Sequence, residues 1–210
     1  MTLLTDLLDQ SRLIPIIQAD SAAAAVAAAR AIHQGGIGQV EVVLRNAQAL
    51  DCIKAIRSEV PEVRVGAGTV LSGEQARAVR EAGAQFIVTP TTTDTLLAAL
   101  LETGLPFAPG VSSLSDIGRM VEAGCQQLKL FPAELSGGVA LLKAISSIFP
   151  GVTFCPTGGV AENNLASYLA LGNVFAVGGS WIAPNKLVAE GNWQGISQRA
   201  AAAKSQVPGL

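Results

Sequence analysis

Short apolar segments alternate along the chain with longer segments that have the periodicity of helices. Helices are predicted at residues 22–34, 73–81, 94–102, 114–122 and 163–171. A glycine follows each helical segment, and a glycine just past a helix can take the left-handed conformation that satisfies the last carbonyl groups. The glycines concerned are Gly35, Gly36, Gly83, Gly104, Gly124 and Gly172. The pattern therefore indicates repeated units of helix, glycine and strand.

The short apolar segments predict buried parallel strands, because they are too brief for helices and apolar on both faces. These strands are predicted at residues 13–17, 39–44, 63–65, 85–88, 105–107, 126–131, 152–155 and 174–177. Eight strands alternating with helices are typical of a closed barrel. We expect one α/β domain over residues 1–210, a single (β/α)8 TIM barrel with a short N-terminal helix. A doubly wound open sheet is the alternative.

Composition narrows the class of protein. The chain has 210 residues, of which 50% are hydrophobic and 14% charged, so it is not a disordered chain. The net charge is −2 and no long basic run is present, so neither nucleic acid nor an anionic membrane is expected as a partner. The start lacks the pattern of a signal peptide, and no apolar stretch is long enough to span a membrane. We expect a soluble, cytoplasmic protein.

Cysteine and histidine contribute little to the expected chemistry. The three cysteines, Cys52, Cys125 and Cys155, form no C-x-x-C pair, and their odd number argues against a disulfide framework. The one histidine, His33, lies in a helical segment and is expected at the surface. No metal site is therefore expected. Any catalyst must use lysine and carboxylates.

Lys129 interrupts an apolar strand, which makes it the most informative residue of the chain. It lies between Leu128 and Leu130, and Phe131 follows. Burial removes water from the ammonium group and favours the neutral amine, which can attack a ketone and form an imine. The alternative is a lysine whose stem packs on apolar surface while its charged end reaches solvent.

Glu41 is the carboxylate expected to meet Lys129. Side chains alternate along a strand, so Glu41 shares a face with Arg45, and Lys129 shares a face with Phe131. An outward-facing Glu41 would press an unpaired carboxylate against the helices, at a cost of about several kcal/mol. We therefore expect both charges inside the barrel, near its upper end. A purely structural ion pair is the alternative.

These two groups predict Schiff-base aldol chemistry. Lys129 would attack a 2-keto group, and the iminium would draw electrons from the neighbouring carbon, so that an adjacent C–C bond breaks. Glu41, directly or through a water, would remove the hydroxyl proton from the departing carbon and later protonate the enamine. This chemistry requires no metal or other cofactor.

Polar and glycine-rich segments at the strand ends indicate how a substrate would be bound. Phosphate is often bound after the last two strands of a barrel, where glycine lets backbone amides approach the anion. The turns concerned are Thr157-Gly158-Gly159 and Gly178-Gly179-Ser180, with ordinary turns as the alternative. Arg45 offers a fork for the carboxylate of a 2-keto acid, unless it forms a salt bridge at the rim. Thr69 could donate a hydrogen bond to the same carboxylate. Alternatively, the segment from Gly66 to Thr69 could be only a tight turn between strand and helix.

The chain resembles a known family, the class I 2-keto-3-deoxy-6-phosphogluconate (KDPG) aldolases, including those that also cleave 4-hydroxy-2-oxoglutarate (KHG). The resemblance runs through most of the chain. It is carried by the segments 40–45 (VEVVLR), 65–71 (VGAGTVL), 129–134 (KLFPAE), 155–159 (CPTGG) and 178–181 (GGSW).

The resemblance implies a role for each candidate residue. Lys129 is similar to the Schiff-base lysine of the family and Glu41 to its acid/base, while Arg45 and Thr69 resemble residues that bind the pyruvyl carboxylate. The remaining implied substrate contacts are Pro90 and Phe131 lining the pocket, Thr157 at a substrate hydroxyl, and Gly158, Gly159, Gly179 and Ser180 at the phosphate. The family also implies a homotrimer and a pyruvate-producing step of a sugar-acid pathway, the Entner-Doudoroff pathway.

One segment departs from the family pattern. After the fourth predicted strand the chain has Thr91-Thr92-Thr93 behind Pro90, where relatives often have other residues. That loop borders the pocket and leaves the preferred 2-keto-3-deoxy acid open. A 2-keto-3-deoxy-6-phosphogalactonate aldolase is one alternative, although Arg45 favours the gluconate substrate. A phosphosugar isomerase or epimerase with Glu41 as base is another, and a silent phosphosugar-binding protein is the third.

Overall fold

The computed structural model describes residues 2–209, in which parallel strands alternate with helices. Met1 and Leu210, the two ends of the predicted domain, lie outside the described residues. The strands are β1 Leu13–Ile17, β2 Gln39–Val43, β3 Arg64–Gly68, β4 Ile87–Val88, β5 Phe107–Ala108, β6 Gly110–Val111, β7 Gln127–Leu130, β8 Thr153–Pro156 and β9 Val177–Gly179. The helices are α1 Ala22–Gln34, α2 Ala49–Glu59, α3 Gly73–Glu81, α4 Asp94–Thr103, α5 Leu114–Glu122, α6 Gly138–Ile145, α7 Leu165–Leu169, α8 Asn185–Ala189 and α9 Trp193–Ser205.

The strands form a curled parallel sheet in two parts. Six strands pair in the order β5-β4-β3-β2-β1-β9 and three in the order β6-β7-β8. Only Pro109 separates β5 from β6 along the chain, and isolated parallel bridges join Phe154 to Val174 and Thr157 to Gly178. The α/β class and the parallel sheet predicted from the sequence are confirmed. The predicted N-terminal helix is a single 3-10 turn, Leu4–Asp6.

Several predicted bounds are wrong, for identifiable reasons. The third strand continues to Gly68, because Val42 and Val43 pair with Ala67 and Gly68. The fifth begins at Phe107 rather than at residue 105 and is followed, after Pro109, by β6; Pro109 has no amide hydrogen to donate and separates the two. The eighth begins at Val177 rather than at residue 174. No bounds were predicted for α2, α6, α8 and α9; α2, for example, begins without a side-chain cap.

Side-chain caps and glycines fix where several helices begin and end. The hydroxyls of Ser21, Ser72, Thr93 and Ser113 accept hydrogen bonds from the first turns of α1, α3, α4 and α5. Four of the predicted terminal glycines have a left-handed conformation, with φ of 90° at Gly36, 91° at Gly83, 70° at Gly104 and 85° at Gly124. Gly35 and Gly172 are not left-handed, so that part of the prediction is wrong. Within residues 2–209, no helix is long and apolar enough to cross a membrane.

The apolar core has an outer and an inner part. The larger cluster lies between sheet and helices, whereas a smaller one lies inside the curled sheet and includes Ile14, Phe86, Val88 and Cys155. Leu4 of the 3-10 turn belongs to the inner cluster and is fully buried. The N-terminal segment therefore closes the amino end of the curled sheet.

Inward-facing polar side chains hold that closure in position. Oε1 of Gln127 accepts hydrogen bonds from the amides of Leu4 at 2.6 Å and Thr5 at 3.3 Å. Nε2 of Gln39 donates to the Leu13 carbonyl at 2.6 Å and to Oδ1 of Asp9 at 3.0 Å. Since side chains alternate along a strand, these two glutamines fix the residues two positions further along, Glu41 and Lys129, on the same inner face.

The inner face of β3 must carry no side chain at Gly66, because the Phe86 ring packs against the backbone there. A Cβ atom at position 66 would overlap the ring of the fully buried Phe86. We predict that Gly66→Ala lowers the free energy of unfolding by about 1–3 kcal/mol, because the core has no room to relax. Urea denaturation measures the change. Gly172→Ala is the control, since nothing lies within 4 Å of a Cβ there, and an equal loss in both variants would contradict the packing argument.

Candidate active site

Lys129 and Glu41 form a buried ion pair inside the curled sheet. Nζ of Lys129 lies 3.1 Å from Oε1 and 3.4 Å from Oε2 of Glu41. The two side chains are 5% and 2% exposed. β7 supplies the lysine and β2 the glutamate, from opposite sides of the inner space. The predicted meeting of the two charges in the interior is confirmed, and the solvent-reaching alternative for Lys129 is wrong.

The Lys129–Glu41 contact is short enough for a proton to pass between the two groups. Burying two charges costs hydration free energy, which their mutual attraction only partly restores. Moving one proton from Nζ to the carboxylate converts the ion pair into a neutral amine and a carboxylic acid at a separation of 3.1 Å. The site can therefore supply a nucleophilic amine and an adjacent acid without any other group.

Gly68 gives the Glu41 carboxylate its space. Gly68 lies on β3, beside β2, and a Cβ atom there would overlap Oε1, Cδ and Cγ of Glu41, the three nearest atoms. The absence of a side chain at Gly68 therefore lets the carboxylate lie against the strand and reach Lys129. The Gly-Ala-Gly segment is part of a strand with a packing role, rather than only a tight turn.

A cavity of about 140 Å³ opens at the carboxyl ends of the strands beside this pair. Most of the predicted binding residues line it, and the ring of one of them, Phe131, has its centroid 5.8 Å from Nζ of Lys129. That separation is within cation–π distance and links the pair to the cavity. The lining residues are Ile16, Arg45, Phe131, Thr157, Gly158, Gly159, Val160, Gly179 and Ser180.

Two successive glycine amides in the cavity wall are available to an anion. Gly158 and Gly159 both have left-handed backbones, with φ of 93° and 85°. Neither of their amides donates a hydrogen bond within the part of the chain that the structure describes. Such unpaired amides are the usual protein donors to phosphate oxygens. The turn can therefore hold a phosphate group.

Arg45 brings a positive charge to the same cavity. It is exposed, and none of the salt bridges among residues 2–209 involves it. The rim salt bridge considered as its alternative is therefore not formed there. Its guanidinium can take a carboxylate or phosphate in a two-point hydrogen bond.

Thr69 and Pro90 do not line this cavity. Thr69 follows Gly68 directly and has φ of 59°, a left-handed conformation that costs a β-branched residue about 1–3 kcal/mol. Pro90 lies against Gly110, which pairs with Lys129 in the sheet. Both residues therefore adjoin the ion pair through backbone rather than through the cavity wall.

Cys155 and Ile16 are site residues that the sequence argument missed. Cys155 pairs with Lys129 in the sheet, and burial raises the pKa of its thiol to about 12, although the Lys129 charge opposes this. It therefore stays a neutral thiol and is no rival nucleophile. Ile16 pairs with Glu41 and lines the cavity. Cys155 lies two residues before Thr157 and so shares its face of the strand, which could have identified it. Ile16 lies near the carboxyl end of the first predicted strand, where functional residues of barrels are found.

Known proteins resemble the chain along most of its length. A family model described as "KDPG and KHG aldolase" matches residues 4–199. A 2-dehydro-3-deoxy-phosphogluconate aldolase of Pseudomonas aeruginosa is 45% identical, over 90% of this chain and 86% of the relative. A KDPG aldolase structure from Legionella pneumophila, with pyruvate captured at low pH as a covalent carbinolamine intermediate, has a TM-score of 0.92 and 38% identity, and the match covers 96% of this chain and 98% of that one. A Zymomonas mobilis KDPG aldolase structure with 3-phosphoglycerate has a TM-score of 0.87 and 34% identity, covering 96% and 95%.

These similarities define the enzyme class. The protein is an aldolase of class I, a carbon–carbon lyase. Within that class, the chain belongs to the KDPG and KHG aldolase family.

The space at Gly68 should be essential to the rate of aldol cleavage. We predict that Gly68→Ala lowers kcat by about 100-fold, because the added methyl displaces the Glu41 carboxylate and removes acid–base assistance. A steady-state assay measures kcat, and circular dichroism checks the fold. Gly118→Ala, in α5 with nothing within 4 Å of a Cβ, is the control. Wild-type turnover by Gly68→Ala would show that the close approach is not required.

Proposed function

We propose that the protein cleaves 2-keto-3-deoxy-6-phosphogluconate to pyruvate and glyceraldehyde 3-phosphate, with Lys129 as the nucleophile. The observation that carries this proposal is the buried contact of 3.1 Å between Nζ of Lys129 and Glu41, beside a cavity of about 140 Å³. The relatives named for this reaction, and the Legionella structure with a pyruvate carbinolamine, support it.

The first stage is formation of the iminium. Glu41 accepts a proton from Nζ of Lys129, and the neutral amine adds to C2 of the keto acid to give a carbinolamine. Glu41 then returns a proton to the carbinolamine hydroxyl, which leaves as water. The iminium that remains is an electron acceptor next to C3.

The second stage breaks the C3–C4 bond. Glu41 removes the proton of the C4 hydroxyl, the C4–O bond becomes a carbonyl, and the bonding electrons move to the iminium to form an enamine. Glyceraldehyde 3-phosphate departs. Glu41 then protonates C3 of the enamine, and water hydrolyses the new iminium to pyruvate and free Lys129. All protons in this cycle pass through one carboxylate or through water.

The remaining predicted residues would bind the two ends of the substrate. Arg45 holds the pyruvyl carboxylate, Thr157 contacts a substrate hydroxyl, and Phe131 borders the reacting carbons. Thr69 and Pro90, which adjoin the ion pair outside that cavity wall, complete the binding of the carboxylate and of the reacting carbons respectively. The phosphate lies against the two glycine-rich turns, at Gly158, Gly159, Gly179 and Ser180. The unpaired amides of Gly158 and Gly159 and the unbridged guanidinium of Arg45 support this arrangement.

Cleavage of 4-hydroxy-2-oxoglutarate to pyruvate and glyoxylate is a second candidate activity, because the matching family model covers KHG aldolases as well. The reacting part of that substrate presents the same 2-keto acid and 4-hydroxyl groups. The same two catalytic residues would serve, without use of the phosphate turn.

We also propose that the residues 1–210 form one catalytic domain, a closed (β/α)8 barrel. If β5 and β6 are counted as one strand interrupted by Pro109, the bridges from Phe154 to Val174 and from Thr157 to Gly178 connect the remaining edges. Eight strands then complete the ring. Cytoplasmic location stays a prediction of the sequence.

The mechanism predicts covalent capture of pyruvate on Lys129. Borohydride reduction in the presence of pyruvate should add one pyruvate-derived group per chain, located at Lys129 by peptide mass spectrometry. Lys129→Arg should keep the charge pair, form no adduct and lose aldol cleavage by about 10⁴-fold or more. Substantial turnover of a phosphosugar by Lys129→Arg would instead favour the isomerase alternative, with Glu41 as base.

We further propose a homotrimer whose contacts include the exposed apolar side chains of α4 and α5. Leu101, Leu114 and Val121 are 50%, 50% and 38% exposed. Light scattering should give a mass near three chains of 21.4 kDa. Leu101→Glu should reduce that mass, since a charge is costly in an apolar contact. Ile148→Glu, at an exposed isoleucine outside those helices, should not, and a wild-type mass for both variants would exclude this surface.

A further inference from the structure

A buried phenol and an exposed carboxylate form a pair outside the catalytic centre. Tyr168 of α7 is fully buried, and its hydroxyl donates a hydrogen bond to Oε1 of Glu134, on the exposed turn after β7. Burial first, and then the hydrogen bond and charge of Glu134, raise the pKa of Tyr168. The phenol therefore remains a donor throughout the working pH range. Neither residue has a part in the chemistry described above.

Glu134 also contacts the glycine turn that lines the cavity. Its amide donates to the Gly158 carbonyl at 3.1 Å, and the amide of Ala133 donates to the Thr157 carbonyl at 2.8 Å. Its side chain lies directly over Gly159, since a Cβ atom there would be 2.5 Å from Cγ of Glu134. The aliphatic stem of Glu134 therefore packs against one side of the Gly158–Gly159 turn.

Asn164 holds the same turn from its other side. Its Nδ2 donates to the Gly159 carbonyl at 3.1 Å, while its Oδ1 accepts from the amide of Ala161 at 2.8 Å. Glycine has the greatest backbone freedom of any residue, so two successive glycines do not fix their own amides. The contacts from Glu134 and Asn164 must therefore supply that orientation.

The Glu134 carboxylate lies beside Tyr168 and Gly138, outside the cavity wall. Glu134 is not among the residues that line it. A Cβ atom at Gly138 would lie 2.9 Å from the Tyr168 hydroxyl and 3.0 Å from Oε1 of Glu134, so the pair meets over the bare backbone of Gly138. The tyrosine hydrogen bond thus keeps the carboxylate beside α6, where it does not compete with an anion in the cavity.

We propose that Glu134 and Tyr168 are positioning residues, which hold the Gly158–Gly159 turn so that its amides face the phosphate end of the substrate. The phenol anchors the carboxylate, and the anchored stem supports Gly159. The proposal rests on the proposed function, because it assigns that turn to the substrate phosphate. Its effect should appear in substrate affinity and not in the chemistry at Lys129.

Tyr168→Phe tests the anchor, since it removes one hydroxyl and keeps the ring in the core. We expect KM for 2-keto-3-deoxy-6-phosphogluconate to rise by about tenfold, the scale of one lost hydrogen bond to a charged group, with kcat nearly unchanged. The rate of borohydride trapping with pyruvate, which has no phosphate, should equal that of the wild type. Thr103→Val is the control, because it removes a buried hydroxyl bonded to the Leu100 carbonyl, in α4.

Glu134 variants separate positioning from simple loss of structure. Glu134→Gln keeps the stem and an acceptor oxygen and should keep KM within about twofold of the wild type, whereas Glu134→Ala should raise KM at least as much as Tyr168→Phe. The double variant Tyr168→Phe/Glu134→Ala should be no worse than Glu134→Ala alone, because both changes break one contact.

The outcomes distinguish this inference from the proposed function. Failure of the wild type to trap pyruvate would remove the aldolase mechanism itself. A wild type that traps pyruvate, together with Tyr168→Phe at wild-type KM, would overturn the positioning role alone. Equal losses of pyruvate trapping and of phosphorylated-substrate turnover in Tyr168→Phe, or the same KM rise in Glu134→Gln as in Glu134→Ala, would also overturn it.

Discussion

The enclosure of one ammonium and one carboxylate inside the sheet is the constraint on which the rest of the structure depends. Lys129 and Glu41 lie on strands from opposite sides of the interior, and neither could be buried without the other, since a lone charge there is very costly. The inner face must therefore keep both strands in one register and leave space where the two side chains meet. Because the two charges compensate each other at 3.1 Å, the fold and the proposed chemistry require the same geometry.

Glycine makes this geometry sterically possible. Gly66 and Gly68 leave the inner face of β3 free for the Phe86 ring and the Glu41 carboxylate, and Gly178 leaves room for the Thr157 side chain. Further out, glycines at 158 and 159 expose backbone amides to the cavity. Gly66, Gly68 and Gly178 thus leave room on the inner surface for one apolar ring and for two polar side chains. The left-handed backbone of Thr69 shows that the adjoining turn also carries strain that a glycine would avoid.

Sequence pattern predicted the parts of this structure that depend on local order. The helix at residues 22–34, the strand at 13–17 and the meeting of Glu41 with Lys129 all follow from periodicity, caps and strand alternation. The extension of β3 through glycine and the contact between Tyr168 and Glu134 do not. Each depends on pairing between segments distant in the chain, which one strand's composition does not encode. For the same reason the sequence did not show that Thr69 and Pro90 adjoin the pair outside the wall of the 140 Å³ cavity.

The closed amino end of the sheet has a kinetic consequence. Leu4 and its contact with Gln127 block that end, whereas the cavity beside the ion pair opens at the carboxyl ends of the strands. In the proposed cycle the three-carbon enamine stays bonded to Lys129 while the aldehyde fragment lies between it and the exit. Departure is then ordered, with the aldehyde first and pyruvate last. In the synthetic direction the same architecture makes pyruvate the leading substrate, and a second ketone cannot enter from behind.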